Sequence, residues 1–329
     1  TKLNIVDAFS NLVTFDSYNI SRFFSPDFNS LLVKTLKKES YDVILMESLF
    51  TTPYIETIKN YSQSKIILRS HNLEHIIWER LAKETSNPAK KIYLNLLSNQ
   101  LKTYEIEVLE QLDGIAAISK DDELKYNTFK NVPKTITIPF GIEVLKYKYE
   151  NQSHNENLKF FHLGAMDWKP NLEAVGWLLK EIWPKILVKN PRAELHLAGK
   201  NMPKWLIDKK DKNVYNHGNV KNANEFIKKY DIMIVPILSA GGIRVKIIEG
   251  MALGKTIIST KIGAEGLDYT NNENILIANN PDEFANQSQK LMENTEEINR
   301  IGNNARSHIL NNYDQKTISK KLISFFSSL

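Results

Sequence analysis

The segment from Asp231 to Gly266, DIMIVPILSAGGIRVKIIEGMALGKTIISTKIGAEG, restricts the fold of this chain more than any other stretch. Ile232 to Val235 is a short apolar run with β-branched residues, halted by Pro236. That is the pattern of a strand buried on both faces of a parallel sheet. Ser239-Ala240-Gly241-Gly242 then supplies a loop whose glycines let the backbone approach a ligand with its amides free. From Ile243 the apolar spacing becomes helical, with Ile243, Ile247 and Met251 beside Ile248 and Ala252, until Gly254 ends the run as a C′ residue would. Lys255 to Thr260 reads as a second buried strand. Arg244 and Lys246 are thereby expected in the first helical turn, where free amides and the helix dipole favour an anion. Strand, glycine loop, basic helix start and strand predict a phosphate site outside the carboxyl end of a parallel sheet. A tight turn followed by two solvated basic side chains is the plainer reading of the same residues. Glu249, lower on the helix, is placed to accept hydrogen bonds from a pair of sugar hydroxyls.

The chain around this segment has 329 residues, which exceeds one typical core and sets two domains as the expectation. Its 42% hydrophobic and 25% charged residues are those of an ordinary globular protein. There is no run of about 18 apolar residues to span a bilayer, and the start TKLNIVDAFSNL has no basic-then-apolar signal region. The absence of cysteine removes disulfides, thiolate nucleophiles and the common structural zinc sites, and fits a cytoplasmic address. Residues 1–150 carry 19 Lys and Arg against 19 Asp and Glu, while residues 151–329 carry 24 against 19. The whole excess lies in the half that holds the expected phosphate site, so an anionic ligand explains it. Nucleic acid is disfavoured, because no arginine stripe or interleaved aromatic pattern accompanies the charge.

Taken in order, a helix is expected over Asp27 to Lys38, a buried strand over Tyr41 to Met46, a loop from Glu47 to Pro53 and a strand over Lys65 to Leu68. Units of strand and helix repeating every 25 to 30 residues argue for a parallel α/β layer. Arg69-Ser70-His71-Asn72 follows the second strand at the end where such sheets place ligands. From position alone His71 reads as a capping or solvent-facing residue. Leu73 to Leu112 has a helical pattern broken at Asn87-Pro88, with Tyr93, Leu97, Leu101, Tyr104 and Val108 on one stripe. Trp78 with Arg80, Lys83, Lys90 and Lys91 offers an alternative, a rest on an anionic membrane surface. Ser119 and Asp122 form a capping box, so Asp121-Asp122-Glu123 read as helix-start acids rather than metal ligands. After a strand at Thr135 to Ile138, the polar stretch Glu143 to Asn157 reads as a linker. A strand at Leu158 to Leu163, the loop Gly164 to Asn171 and a helix from Asn171 to about Lys189 open the second half. Strands at Ala193 to Ala198 and Asn274 to Ala278, and an amphipathic helix at Thr317 to Leu329, complete it.

The residue order in Asp231 to Gly266 resembles the donor-sugar segment of the family 4 (group 1) glycosyltransferases of bacterial type. These are GT-B enzymes that move a sugar from a nucleotide diphosphate with retention of configuration. The resemblance implies an α/β GT-B fold with two Rossmann-like domains facing a cleft. Residues 1–150 would form the acceptor side, residues 151–311 the donor domain, and residues 312–329 would cross back to the first. It also implies that the chain lacks the N-terminal strands and glycine loop with which that fold usually opens. Glu249 matches the second glutamate of the family's pair, the one that orients the ribose. The first would fall at Gly241. The loop instead resembles a branch written with two glycines, an arginine and a lysine, so the amides of Gly241 and Gly242, with Ile243 beside them, would hold sugar hydroxyls. Gly164 matches the glycine of the first donor loop, where Ala165 replaces the family's usual arginine and Lys169 falls one residue short of its lysine. Gly199 and the segment ending at Val220 resemble the backbone that meets the nucleotide and its base, with His217 structural. His71 matches a histidine lining the cleft beside the transferred sugar, so the catalytic set expected is His71, Arg244 and Lys246. No metal and no cofactor are implied. The partners implied are a nucleotide-sugar donor and a glycan or lipid-linked acceptor at the inner membrane face. Two rival readings share the donor site: a sugar-nucleotide epimerase or hydrolase, and a non-catalytic nucleotide-binding scaffold.

Overall fold

The computed structural model describes residues 18–149, 157–239 and 241–329. The described residues form two compact units, one of residues up to 139 with 320–329 and one between 140 and 319.

In the first unit, α1 (Pro26–Lys38), β1 (Val43–Glu47), α2 (Ile55–Tyr61) and β2 (Lys65–Ser70) are followed by α3 (Glu74–Glu84) and α4 (Pro88–Leu109). Then come β3 (Gly114–Ala117), α5 (Lys120–Tyr126) and β4 (Lys134–Thr137). All four strands are parallel in the order β1-β2-β3-β4, with Val43 opposite Lys65, Ile67 opposite Gly114 and Gly114 opposite Lys134. The expected loop Glu47 to Pro53 is instead a 3₁₀ turn over Leu49–Tyr54. Arg69 and Ser70, expected beyond β2, are its last two residues. Asn87 stops the approach to α4, and its side chain accepts from the Lys90 amide while Pro88 takes the first helical position. Trp78 packs half-buried against the core cluster that holds Leu101, Val108 and Ile115. Ser119 caps α5 through the Asp122 amide, and Glu123 is occupied by Lys120 and Thr137.

The second unit contains β5 (Lys159–Leu163), α6 (Lys169–Trp177), α7 (Trp183–Lys189), β6 (Glu194–Ala198), α8 (Lys204–Ile207) and β7 (Val214–Gly218). It continues with α9 (Ala223–Lys228), β8 (Ile232–Val235), α10 (Val245–Ala252), β9 (Thr256–Ser259) and β10 (Leu276–Ile277). The helices α11 (Pro281–Glu293), α12 (Glu296–Asn312) and α13 (Gln315–Phe326) close the chain. The sheet is wholly parallel with strand order β10-β9-β8-β5-β6-β7. The order reverses between β8 and β5, the topological switch point at which doubly wound sheets bind ligands. One expected helix from Asn171 to Lys189 is two, joined by a π-turn at Leu178–Ile182 just before Trp183-Pro184, whose proline cannot donate to the helical ladder.

Both faces of this sheet are covered. Leu158, Phe160, Leu195, Ile232 and Ile258 pack under α6, α7 and α11 on one side. Phe161, Met233, Val235 and Ile257 pack under α10 and α12 on the other. Residues 140–149 sit in this unit: the Ile142 amide donates to the Tyr313 carbonyl, and Val144 is buried in a short turn. The rest of the expected linker, residues 150–156, lies outside the described residues. Within the second unit the Gln315 amide donates to the Ile142 carbonyl, and within the first Phe325 packs against Gly114. Among the described residues no helix is long and apolar enough to cross a membrane.

Candidate functional site

Four fully buried residues, Ile232 to Val235, make β8 a fixed post, and its carboxyl end carries Pro236 and the glycine loop out of the sheet. Gly242 has φ +76, a conformation that side-chain-bearing residues rarely adopt, so the turn into α10 depends on it. The helix begins at Val245, not Ile243, and Arg244 is its N-cap with extended backbone. The reason is the guanidinium, which is buried rather than solvent-facing and is held by three carbonyl oxygens. Nη1 donates to Gly241 at 2.8 Å, Nη2 to Ile262 at 3.1 Å and Nε to Gly263 at 3.3 Å. Glu265 lies 3.8 Å from Nη2 and balances the charge. Arg244 thus ties the glycine loop to the turn after β9. A planar fork of N–H donors suits this, since one side chain fixes carbonyls from two separate loops.

Lys246, the second residue of α10, reaches across to Asn171 at the start of α6. Its Nζ donates to Asn171 Oδ1 at 2.7 Å, and the Asn171 Nδ2 donates to the Ala165 carbonyl at 2.9 Å. Burial, reinforced by the nearby Arg244 charge, brings the Lys246 ammonium down to about 7. Beneath it lies His162, fully buried on β5, with Nδ1 donating to the Ile234 carbonyl at 2.8 Å. A carbonyl only accepts, so Nδ1 carries the hydrogen and Nε2 presents a bare lone pair. Burial and then the Lys246 charge hold this ring well below the ordinary histidine range, in its neutral form.

Gly164 and Gly199 belong to the same floor. The Gly164 amide donates to the Ala198 carbonyl and the Gly199 amide to the Gly218 carbonyl. A Cβ on Gly199 would overlap the Gly164 carbonyl, and a Cβ on Gly164 would lie 2.6 Å from the Asn171 amide nitrogen. Backbone and amide therefore touch here only because both residues are glycine.

Other expected residues stand apart. Lys169 is 85% exposed and pairs with Glu173 at 3.4 Å, while Ser239 donates to the other Glu173 oxygen at 3.1 Å. Val220 packs partly buried against the cluster that contains Phe226 and Tyr230. Ile243 packs against the core under the loop. Glu249 accepts at Oε1 from the Tyr147 hydroxyl at 3.0 Å, and burial with that carboxylate pushes Tyr147 up to about 12. His217 bonds His196 at 3.0 Å in an aromatic cluster with Tyr230.

In the first unit, His71 is exposed and its Nε2 lies 3.0 Å from Glu47 Oε2, which also faces Arg69 Nε at 3.7 Å. Ser48, next to Glu47, has φ +84 and ψ 158, a region almost reserved for glycine and one in which strain accumulates at working loops. Glu47, Ser48, Tyr147, His162 and Asn171 were not singled out by the sequence. Only Asn171 carried a local signal, an asparagine just after the Lys169-Pro170 helix start.

Comparisons with known proteins bear on the fold. Residues 157–294 match the family model described as "Glycosyl transferases group 1". The chain is 29% identical over 299 residues to an uncharacterized 44.6 kDa protein in the cps region of Klebsiella pneumoniae, covering 87% of this chain and 74% of that protein. A crystal structure of S. aureus TarM in complex with fondaparinux, alpha-GlcNAc-glycerol and UDP is similar, with TM-score 0.65 at 16% identity. That match covers 91% of this chain, which spans 58% of the TarM chain. Anabaena HepE in complex with UDP-glucose is similar with TM-score 0.63 at 15% identity, over 92% of this chain and 82% of that one. The fold is GT-B, with two Rossmann-like units.

Proposed function

We propose that the protein is a glycosyltransferase that takes a sugar from a nucleotide diphosphate, with retention and without a metal, and passes it to a glycan or lipid-linked acceptor. The observation that carries this reading is the partly buried Lys246 ammonium, which follows a glycine loop and bonds Asn171 across the switch point of a parallel sheet. Both serve a diphosphate, the one group in such a donor whose charge grows as the bond to the anomeric carbon breaks. The match of residues 157–294 to group 1 glycosyltransferases and the UDP and UDP-glucose in the TarM and HepE structures support it. So does the cps-region relative, which suggests an envelope polysaccharide as product.

Each residue then has a task. The amides of Gly241 and Gly242 and the Lys246 ammonium receive the diphosphate and the sugar hydroxyls, and Lys169 swings from Glu173 to add a second charge. Arg244 keeps the loop in place while its charge adds to the field at the diphosphate. Glu249 accepts from the ribose at the oxygen that Tyr147 does not use. Gly164, Gly199 and Val220 leave room for the nucleotide backbone and base. The first unit, with His71, Glu47 and Arg69 at the carboxyl ends of its strands, serves the acceptor.

The test is turnover. The protein is incubated with UDP-, GDP- and ADP-sugars and a panel of alkyl and aryl glycosides, and release of nucleoside diphosphate and the anomeric coupling constant of the product are followed. An axial product from an axial donor, lost in Lys246→Ala, is expected. Full activity in Lys246→Ala and Arg244→Ala would refute the site, an inverted product would refute retention, and free sugar formed equally with and without acceptor would identify a hydrolase.

A further inference from the structure

The Lys246 ammonium owes its position to a side chain that no phosphate motif includes. Asn171 lies at the start of α6, 4% exposed, and its amide is fully used in two directions. Nδ2 holds the Ala165 carbonyl in the β5–α6 loop, and Oδ1 holds Lys246 Nζ on α10. The amide plane is wedged over Gly164, whose carbonyl in turn leaves no room for a side chain on Gly199. Three loops at the switch point are therefore registered through one amide. Behind it, His162 Nε2 is buried, unprotonated and without a hydrogen-bond partner among the described residues. A buried unsatisfied acceptor is costly, and the Lys246 charge is near enough to depress this ring further.

We propose that Asn171 is a positioning residue for the donor diphosphate, presenting the Lys246 ammonium to it with His162 as the fixed neutral acceptor behind. This rests on the donor-site reading above. The chemistry recognised is a sugar-linked diphosphate diester, which carries constant charge from pH 6 to pH 8.5, so any pH dependence of its binding in that range belongs to the protein. With a neutral amide as its partner, the partly buried ammonium is half deprotonated near neutrality, and the incoming diphosphate draws a proton back onto it. Binding is thus tied to uptake of one proton at Nζ. The bond changed is N–H on Lys246, the proton coming from solvent, and His162 stays neutral throughout.

The experiment measures the Kd of whichever of UDP-glucose, GDP-mannose and ADP-glucose binds wild type, by calorimetry at half-unit steps from pH 6 to pH 8.5, in two buffers of different ionisation enthalpy. Wild type is expected to hold a constant Kd below pH 7 and to lose affinity above it, approaching tenfold per pH unit, with net proton uptake read from the buffer difference. Asn171→Asp places a carboxylate against the ammonium and moves the onset of that loss upward by at least one pH unit. Asn171→Leu, which removes the acceptor, moves it downward, and Lys246→Gln abolishes the pH dependence. A merely structural role for Asn171 would weaken binding by the same factor at every pH and leave the onset in place, which overturns the proposal. Asn171→Asp keeps the side chain's shape, so the test survives should the leucine variant fail to fold. Absence of binding by all three donors to folded wild type refutes the donor-site reading itself; binding with an onset unmoved by Asn171→Asp refutes only this inference.

Discussion

Replacing Lys246 with methionine is expected to make the protein more stable, by an amount that depends on pH. The ammonium titrates at about 7 in the folded chain and near 10.4 in an unfolded one. Between those values the unfolded chain holds more protons, so folding stability rises with pH through this window, and the full penalty applies below about pH 7. The gap between these two values corresponds to at most about 5 kcal/mol at low pH; the same relation leaves at most about 4 kcal/mol at pH 7 and about 2 kcal/mol at pH 9. Lys246→Met keeps the stem packed and deletes the charge. It also leaves Asn171 Oδ1 without its donor, which costs about 1 kcal/mol. The variant should therefore exceed wild type by about 3 kcal/mol at pH 7 and by about 1 kcal/mol at pH 9. Urea unfolding at the two pH values, followed by the tryptophan fluorescence of the second unit, reads the difference directly. Equal gains at pH 7 and pH 9, or a destabilised variant at both, would refute a partly buried, weakly basic Lys246 amine. Its stabilisation would instead mark a group kept for function at the expense of stability.

Two glycine substitutions separate the site from the scaffold. Gly199→Ala forces a Cβ into the Gly164 carbonyl, backbone against backbone, and should lower stability by at least about 2 kcal/mol and abolish nucleotide binding; Gly176→Ala meets nothing within 4 Å on α6 and should raise stability by about 0.5–1 kcal/mol with binding intact. Thermal unfolding with and without ligand checks both. In the first unit, Glu105 on α4 is fully buried and accepts from His75 Nδ1 at 2.6 Å and from the Glu74 and His75 amides, capping α3 from another helix. Glu105→Ala should cost about 3 kcal/mol by orphaning all three donors, seen as a lowered unfolding midpoint with nucleotide affinity unchanged.

Much of this was legible locally. The strand–loop–helix–strand order of 231–266, Pro236 and Gly254 at its boundaries, and the Ser119 cap all act over a few residues, and the structure keeps them. What the sequence hid was determined by partners distant in the chain. Arg244 reads as a solvent-facing anion ligand because its carbonyl partners at Ile262 and Gly263 belong to the turn after the next strand. Asn171 reads as an ordinary helix-start residue because Lys246 reaches it from 75 residues away. Glu105 lies on the apolar stripe of α4, where a carboxylate looks misplaced until α3 folds back to supply its three donors. The helix after Lys169 was overextended because its apolar period continues through the π-turn that Pro184 imposes.

Direct calorimetric titration of UDP-, GDP- and ADP-glucose at pH 6.5 tests whether the glycine loop and Lys246 form a nucleotide-diphosphate site. Saturable one-to-one binding of one of the three is predicted, weakened at least thirtyfold in Lys246→Ala, a loss of about 2 kcal/mol for one charge-assisted contact. No binding of any of the three to folded protein, or equal affinity in wild type and variant, would contradict it.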